Sequence, residues 1–142
     1  MLLLRSGLFR STYEMAVQSA SCPPLYQAFK KGSLEPQPVE KSLRLETEEE
    51  TKAEGIAIAN PVRGRQILEM IRETEGEVLA VTEEEIGAAL KEMGRKGHFI
   101  EPTSAATVAG LKKYVKNIMK KVVVSTLTGT GLKAAGKIWR YS

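Results

Sequence analysis

The chain is 142 residues long, with 42% hydrophobic and 27% charged residues, which is ordinary for one globular domain. No apolar run approaches the roughly 20 residues needed to cross a bilayer as a helix. A formal charge of +4 is unevenly spread, acidic between Glu35 and Glu54 and without any acid from Lys112 to Ser142. The single cysteine, Cys22, excludes an internal disulfide, so a reducing cytoplasm is the expected compartment.

Residues 1–15 open on Met1-Leu2-Leu3-Leu4-Arg5 and read as a poorly ordered leader. Residues 16–33 read as a strand-helix unit. Ala16-Val17-Gln18 is the short strand, and Pro23-Pro24 starts a helix that buries Leu25, Ala28 and Phe29 and stops at Gly32. Residues 34–54 carry Pro36, Pro38 and the Glu48-Glu49-Glu50 run, the composition of a connector.

From 55 to 136 each element carries its own start and stop signal. Asn60-Pro61 is expected to cap a helix through Ile67, Met70 and Ile71 that closes at Gly76. Val78-Leu79-Ala80-Val81 is a strand, and Thr82-Glu83-Glu84-Glu85 has the capping-box pattern that opens the next helix, over Ile86, Leu90 and Met93 to Gly97. His98-Phe99-Ile100-Glu101 is a short extended piece before a helix from Pro102-Thr103-Ser104 through Val115. That helix has a small-residue face of Ala105, Ala106, Ala109 and Gly110, which suits either close packing on a sheet or a flat ligand. Val122 to Leu127 is read as a last strand, running into Thr128-Gly129-Thr130-Gly131, and residues 137–142 form a tail.

Alternating helices and strands with short connections imply an α/β fold, a largely parallel sheet with helices on both faces, forming part of a three-layer architecture. Ligands of such sheets sit at the carboxyl ends of strands, where Thr128 to Gly131 falls. The turn lacks the lysine-hydroxyl pair of a nucleotide-triphosphate loop and the complete dinucleotide fingerprint. His98 is the lone histidine and has no partner for a metal, so no metal site is expected. Cys22 reads as a buried structural thiol rather than a nucleophile. Glu101 stands between an apolar strand and a helix start, where amides can satisfy a carboxylate. Lys112, Lys113 and Lys116 read as the solvated face of a helix, and nucleic acid is not the expected partner.

Four stretches in order carry a resemblance. They are Val17-Gln18 through Cys22-Pro23-Pro24-Leu25-Tyr26, Gly55 through Asn60-Pro61, Phe99-Ile100-Glu101-Pro102-Thr103-Ser104-Ala105-Ala106, and Leu127-Thr128-Gly129-Thr130-Gly131-Leu132-Lys133. Together they resemble the C-terminal portion of threonine synthase, in the fold-type-II group of pyridoxal-phosphate enzymes. The resemblance implies a cofactor wall made by Thr128, Gly129, Gly55, Ile56, Glu101 and Ser104. Thr128 is implied to bond the pyridine nitrogen through its hydroxyl and to leave the ring largely neutral. Thr130 stands where many members have histidine, and Ala134 where they often have aspartate. The family's Schiff-base lysine lies in a Ser-x-Lys context, and no lysine of these 142 residues does. The family's upstream phosphate-binding loop is not matched either. No catalytic residue is therefore assigned. The expectation is a C-terminal segment that is inactive alone and either pairs with a complementing N-terminal half or self-associates. The alternative is a non-catalytic binding or assembly module of the same descent.

Overall fold

The computed structural model describes residues 13–39, 51–114 and 122–138. The expected leader up to Thr12, the Glu48-Glu49-Glu50 run, Val115, Lys116 and the tail beyond Ile138 lie outside the described residues. The elements are β1 (Met15–Ser19), α1 (Pro24–Lys30), a 3-10 turn (Glu54–Ile56), α2 (Gly64–Glu73), β2 (Glu77–Val81), α3 (Glu83–Arg95), α4 (Pro102–Tyr114), a second 3-10 turn (Gly131–Ala134) and α5 (Ala135–Ile138).

β1 and β2 pair in parallel, with Met15 opposite Glu77 and Ser19 opposite Val81. Side chains alternate across a strand, so this register sends Ala16 and Val78 to one face and Val17 and Val81 to the other. Each face meets its own pair of helices. Val78 packs with Leu25 and Ala28 of α1 and Leu68 and Ile71 of α2. Val81 packs with Ile86, Ala89 and Leu90 of α3 and Ala105, Ala106 and Ala109 of α4. The result is the expected α/β arrangement, a parallel sheet with helices on both faces.

Local rules explain several boundaries. Thr82 accepts a hydrogen bond from the Glu85 amide while the Glu85 carboxylate accepts from the Thr82 amide, so the capping box is complete. Such a cap is worth about 1 kcal/mol. Gly97, at φ 84°, lies just past the end of α3 in the left-handed region that glycine adopts without strain. Glu83, in the first turn of α3, accepts from Ser19 Oγ at 3.3 Å, Thr51 Oγ1 at 2.5 Å and the Lys52 amide at 3.1 Å. One carboxylate thus ties the returning chain at Thr51 and Lys52 to the end of β1.

The small face of α4 settles its two readings. Ala105, Ala106 and Ala109 are buried in the core. A Cβ built on Gly110 would meet the Cγ1 of Val17 at 3.0 Å and come closer still to its Cγ2. Small residues here allow a helix to lie tightly on a sheet.

Two expectations differ from the structure. The helix expected to be capped by Asn60 begins at Gly64 instead, with Arg63 as the cap residue. Pro61 lies in a turn closed by the Gly64 amide on the Pro61 carbonyl, and Gly64 then packs against Pro36, Pro61 and Leu25. The strand expected from Val122 to Leu127 has no ladder partners among the described residues, and Val122 and Val124 are 94% and 90% exposed. A strand needs a neighbour to share its amides and carbonyls. What forms is a single antiparallel bridge between Ile100 and Thr130.

Candidate functional site

The bridge between Ile100 and Thr130 is the device that assembles the site. The Glu101 amide donates to the Gly129 carbonyl at 3.1 Å, and the Gly131 amide donates to the Phe99 carbonyl at 2.9 Å. The glycine-rich turn is thereby strapped to the segment leading into α4. Thr128 then lies over the first turn of that helix, 24 residues away in sequence from Ser104.

Three polar side chains converge there. The Thr128 hydroxyl donates to Glu101 Oε1 at 2.9 Å. It also lies 3.2 Å from the Ser104 hydroxyl. Ser104 accepts the Gly129 amide at 3.3 Å and is itself only 1% exposed. Thr128 is exposed and Glu101 half-buried, so the cluster has a buried base and an open rim. A Cβ on Gly129 would overlap the Glu101 carboxylate, so any larger residue there would push that side chain aside.

Gly55 and Ile56 reach the same helix from the other direction. They form the 3-10 turn after Ala53, and a Cβ on Gly55 would come 2.8 Å from the hydroxyl of Thr103, next to Ser104. Ile56 packs against the core cluster that contains Ala105 and Ala106. The structure therefore draws Thr128, Gly129, Glu101 and Ser104 into one hydrogen-bonded cluster, and sets Gly55 and Ile56 on the flank of α4 beside it.

Two contributors were not singled out from the sequence. Phe99 acts through its carbonyl, accepting from the Gly131 amide and, at 3.4 Å, from the Thr130 hydroxyl. Backbone acceptors have no residue-type signal. Glu83 fixes the chain just ahead of Gly55 through Thr51 and Lys52, and its place between Thr82 and Glu85 of the capping box masked this longer-range role. His98 lies beside Leu90, Lys91, Gly94 and Ile138 in a separate shallow groove. Among the described residues no group of three or more His, Cys, Asp or Glu side chains could hold a metal ion. No helix among them is long and apolar enough to cross a membrane.

Several known proteins are similar to this chain. It is 41% identical over 100 residues to a threonine synthase of Methanosarcina acetivorans, a match that covers 70% of this chain and 23% of that protein. It is 36% identical over 121 residues to a threonine synthase of Methanocaldococcus jannaschii, covering 82% of this chain and 28% of that protein. The chain thus spans about a quarter of the length of these curated relatives. Among solved structures, a threonine deaminase from T.th. superimposes with a TM-score of 0.57 at 20% identity, over 75% of this chain and 35% of that one. This likeness bears on fold alone. The sequence profile of the family described as "Pyridoxal-phosphate dependent enzyme" matches residues 8–129. With that match covering most of its length, the chain belongs to the pyridoxal-phosphate dependent enzyme family, and within it is related to the threonine synthases.

Proposed function

We propose that this chain is the C-terminal segment of a threonine synthase, forming the ring-nitrogen wall of a pyridoxal-phosphate site in the complete enzyme. The observation that carries the reading is the Thr128, Glu101 and Ser104 cluster at the rim of α4, within a chain related to threonine synthases. The donor set fits one end of the cofactor: an exposed hydroxyl backed by a buried one can hold a single polar ring atom. Groups for the aldehyde and phosphate ends are not matched in this sequence, where no lysine follows Ser-x.

When bound, pyridoxal phosphate supplies an electron sink for bonds at an amino acid's Cα, here toward converting O-phosphohomoserine to threonine and phosphate. The residues of this chain bind and orient. Thr128 holds the ring atom, Ser104 fixes the Gly129 backbone beneath it, and Gly55 with Ile56 borders the same helix. Without the reactive lysine the chain alone is inactive. Exposed Val122, Val124 and Leu132 offer apolar surface for a complementing half or for a second copy. The single Cys22 suits a cytoplasmic setting.

Complementation tests the reading. The chain is to be mixed or co-expressed with a threonine synthase relative truncated before the matching region, and phosphate release from O-phosphohomoserine is followed. The expected result is release by the pair only. A well-associated pair that stays silent would favour the binding or assembly module.

A further inference from the structure

The 3-10 turn that carries Gly55 and Ile56 is short, Glu54–Ile56, and has no side-chain cap. It is closed by the Ile56 amide on the Ala53 carbonyl at 3.0 Å and the Ala57 amide on the Glu54 carbonyl at 3.1 Å. Bonds within so short a turn fix its shape, not its place in the molecule. The place is set by the residues just before it. Ala53 is buried in the core with Ile86, Ala105 and Ala106. The Ala53 amide donates to Thr51 Oγ1 at 3.1 Å, and Thr51 is itself buried. Glu83 then holds two consecutive residues with its two oxygens. Oε2 accepts the Lys52 amide at 3.1 Å, and Oε1 lies 2.5 Å from the Thr51 hydroxyl. Ser19 Oγ, at the buried end of β1, is 3.3 Å from the same Oε1.

Glu83 has a firm footing for this grip. It stands in the first turn of α3, whose Ile86, Ala89 and Leu90 pack with Ala105, Ala106 and Ala109 of α4. Gly55 abuts α4 at Thr103, and Thr128 reaches it at Ser104. The helix pair therefore carries both sides of the candidate site, one through Ser104 and the other by way of Glu83. Resting on the cofactor wall proposed above, we infer that Glu83 is a positioning residue, whose grip on Thr51 and Lys52 sets where Gly55 and Ile56 stand against α4 and holds that side of the site ready for the ring. A carboxylate suits this task because both of its oxygens accept. In Glu83→Gln, which keeps the size, one oxygen becomes an N–H donor. It is then set against the Lys52 amide, or against a Thr51 oxygen that the Ala53 amide already bonds.

The test titrates the ¹⁵N-labelled 142-residue chain with pyridoxine 5′-phosphate, a probe with no aldehyde to react with lysines, and follows the backbone amide shifts. With the wild type, saturable shifts are expected at Gly55 and Ile56 as well as at Thr128 and Gly129. In Glu83→Gln those at Thr128 and Gly129 should persist and those at Gly55 and Ile56 should largely disappear. Binding should weaken about tenfold, the weight of one hydrogen bond to a charged group. Hydrogen exchange of the Ala53, Ile56 and Ala57 amides should quicken in the same variant. Leu68→Ala, in the core on the other face of the sheet, lowers stability without reaching Glu83 and should keep the wild-type pattern, which separates positioning from stability. Thr51→Val removes the hydroxyl from the grip and gives the same reading if Glu83→Gln does not fold. Unaltered shifts and affinity in Glu83→Gln, or an equal loss at all four residues, overturn the inference about Glu83 and leave the wall reading standing. No saturable shift at Thr128 and Gly129 with the wild type overturns the wall reading, and the role of Glu83 with it.

Discussion

Purified alone and supplied with pyridoxal phosphate, the chain should release no measurable phosphate from O-phosphohomoserine, and borohydride should leave no single dominant lysyl adduct. The reason is chemical rather than conformational. The family's reaction begins on one lysine activated in a Ser-x-Lys context, and none of the lysines here occupies it. Removing a covalent nucleophile costs on the order of 10⁶ in rate in well-characterised enzymes, and the remaining binding groups cannot substitute for it. Thr128, Ser104 and Glu101 touch only the nitrogen side of a ring in this reading. A specific, stoichiometric adduct at one lysine, or steady turnover, would show that a reactive centre exists within the 142 residues.

Gly110→Val should lower the stability of the chain by about 1 to 3 kcal/mol, the range for overpacking a filled core. Even the first carbon added at this position runs into the side chain of Val17 on β1. The neighbours of that contact, Ala106 and Ala109, are already buried, so α4 can only lift from the sheet. Since Ser104 lies on the same helix, lifting it also separates the Ser104 hydroxyl from the Gly129 amide. Chemical unfolding followed by circular dichroism should show the lower midpoint. An unchanged midpoint would mean that α4 does not dock on β1 as described. The Lys112 ammonium and then that of Lys96 hold the Glu92 carboxylate down at about 2, and this exposed link between α3 and α4 leaves the docking to packing.

Short-range signals were the ones the sequence carried well. Thr82 with Glu85 is a reciprocal pattern four residues long, and both of its hydrogen bonds are present. The alternation of apolar runs with helical spacing foretold a parallel sheet covered on both faces, which β1 and β2 with their two helix pairs provide. The start of α2 was misplaced because Asn60-Pro61 has the composition of a cap. In the structure Pro61 instead lies in a turn closed by the Gly64 amide, and the helix begins at Gly64. Val122 to Leu127 has the composition of a strand, but strand formation depends on a partner that no local pattern encodes.

The candidate site shows the same division. Glu101, Ser104 and Thr128 could be named through motifs shared with a family, though 27 residues separate Glu101 from Thr128. Their union depends on the Ile100 and Thr130 bridge, a non-local pairing. That the Ser104 and Thr128 hydroxyls meet at all follows only from the assembled geometry.

In the proposed function these residues form one wall of a cofactor pocket. Backbone amide shifts of the ¹⁵N-labelled chain, recorded during titration with pyridoxine 5′-phosphate, test it most directly. Saturable shifts are expected to concentrate at Glu101, Ser104, Thr128 and Gly129 and to extend to Gly55 and Ile56 on the flank of α4. Shifts confined to the groove beside His98 and Ile138, or no saturable shift at all, would contradict it.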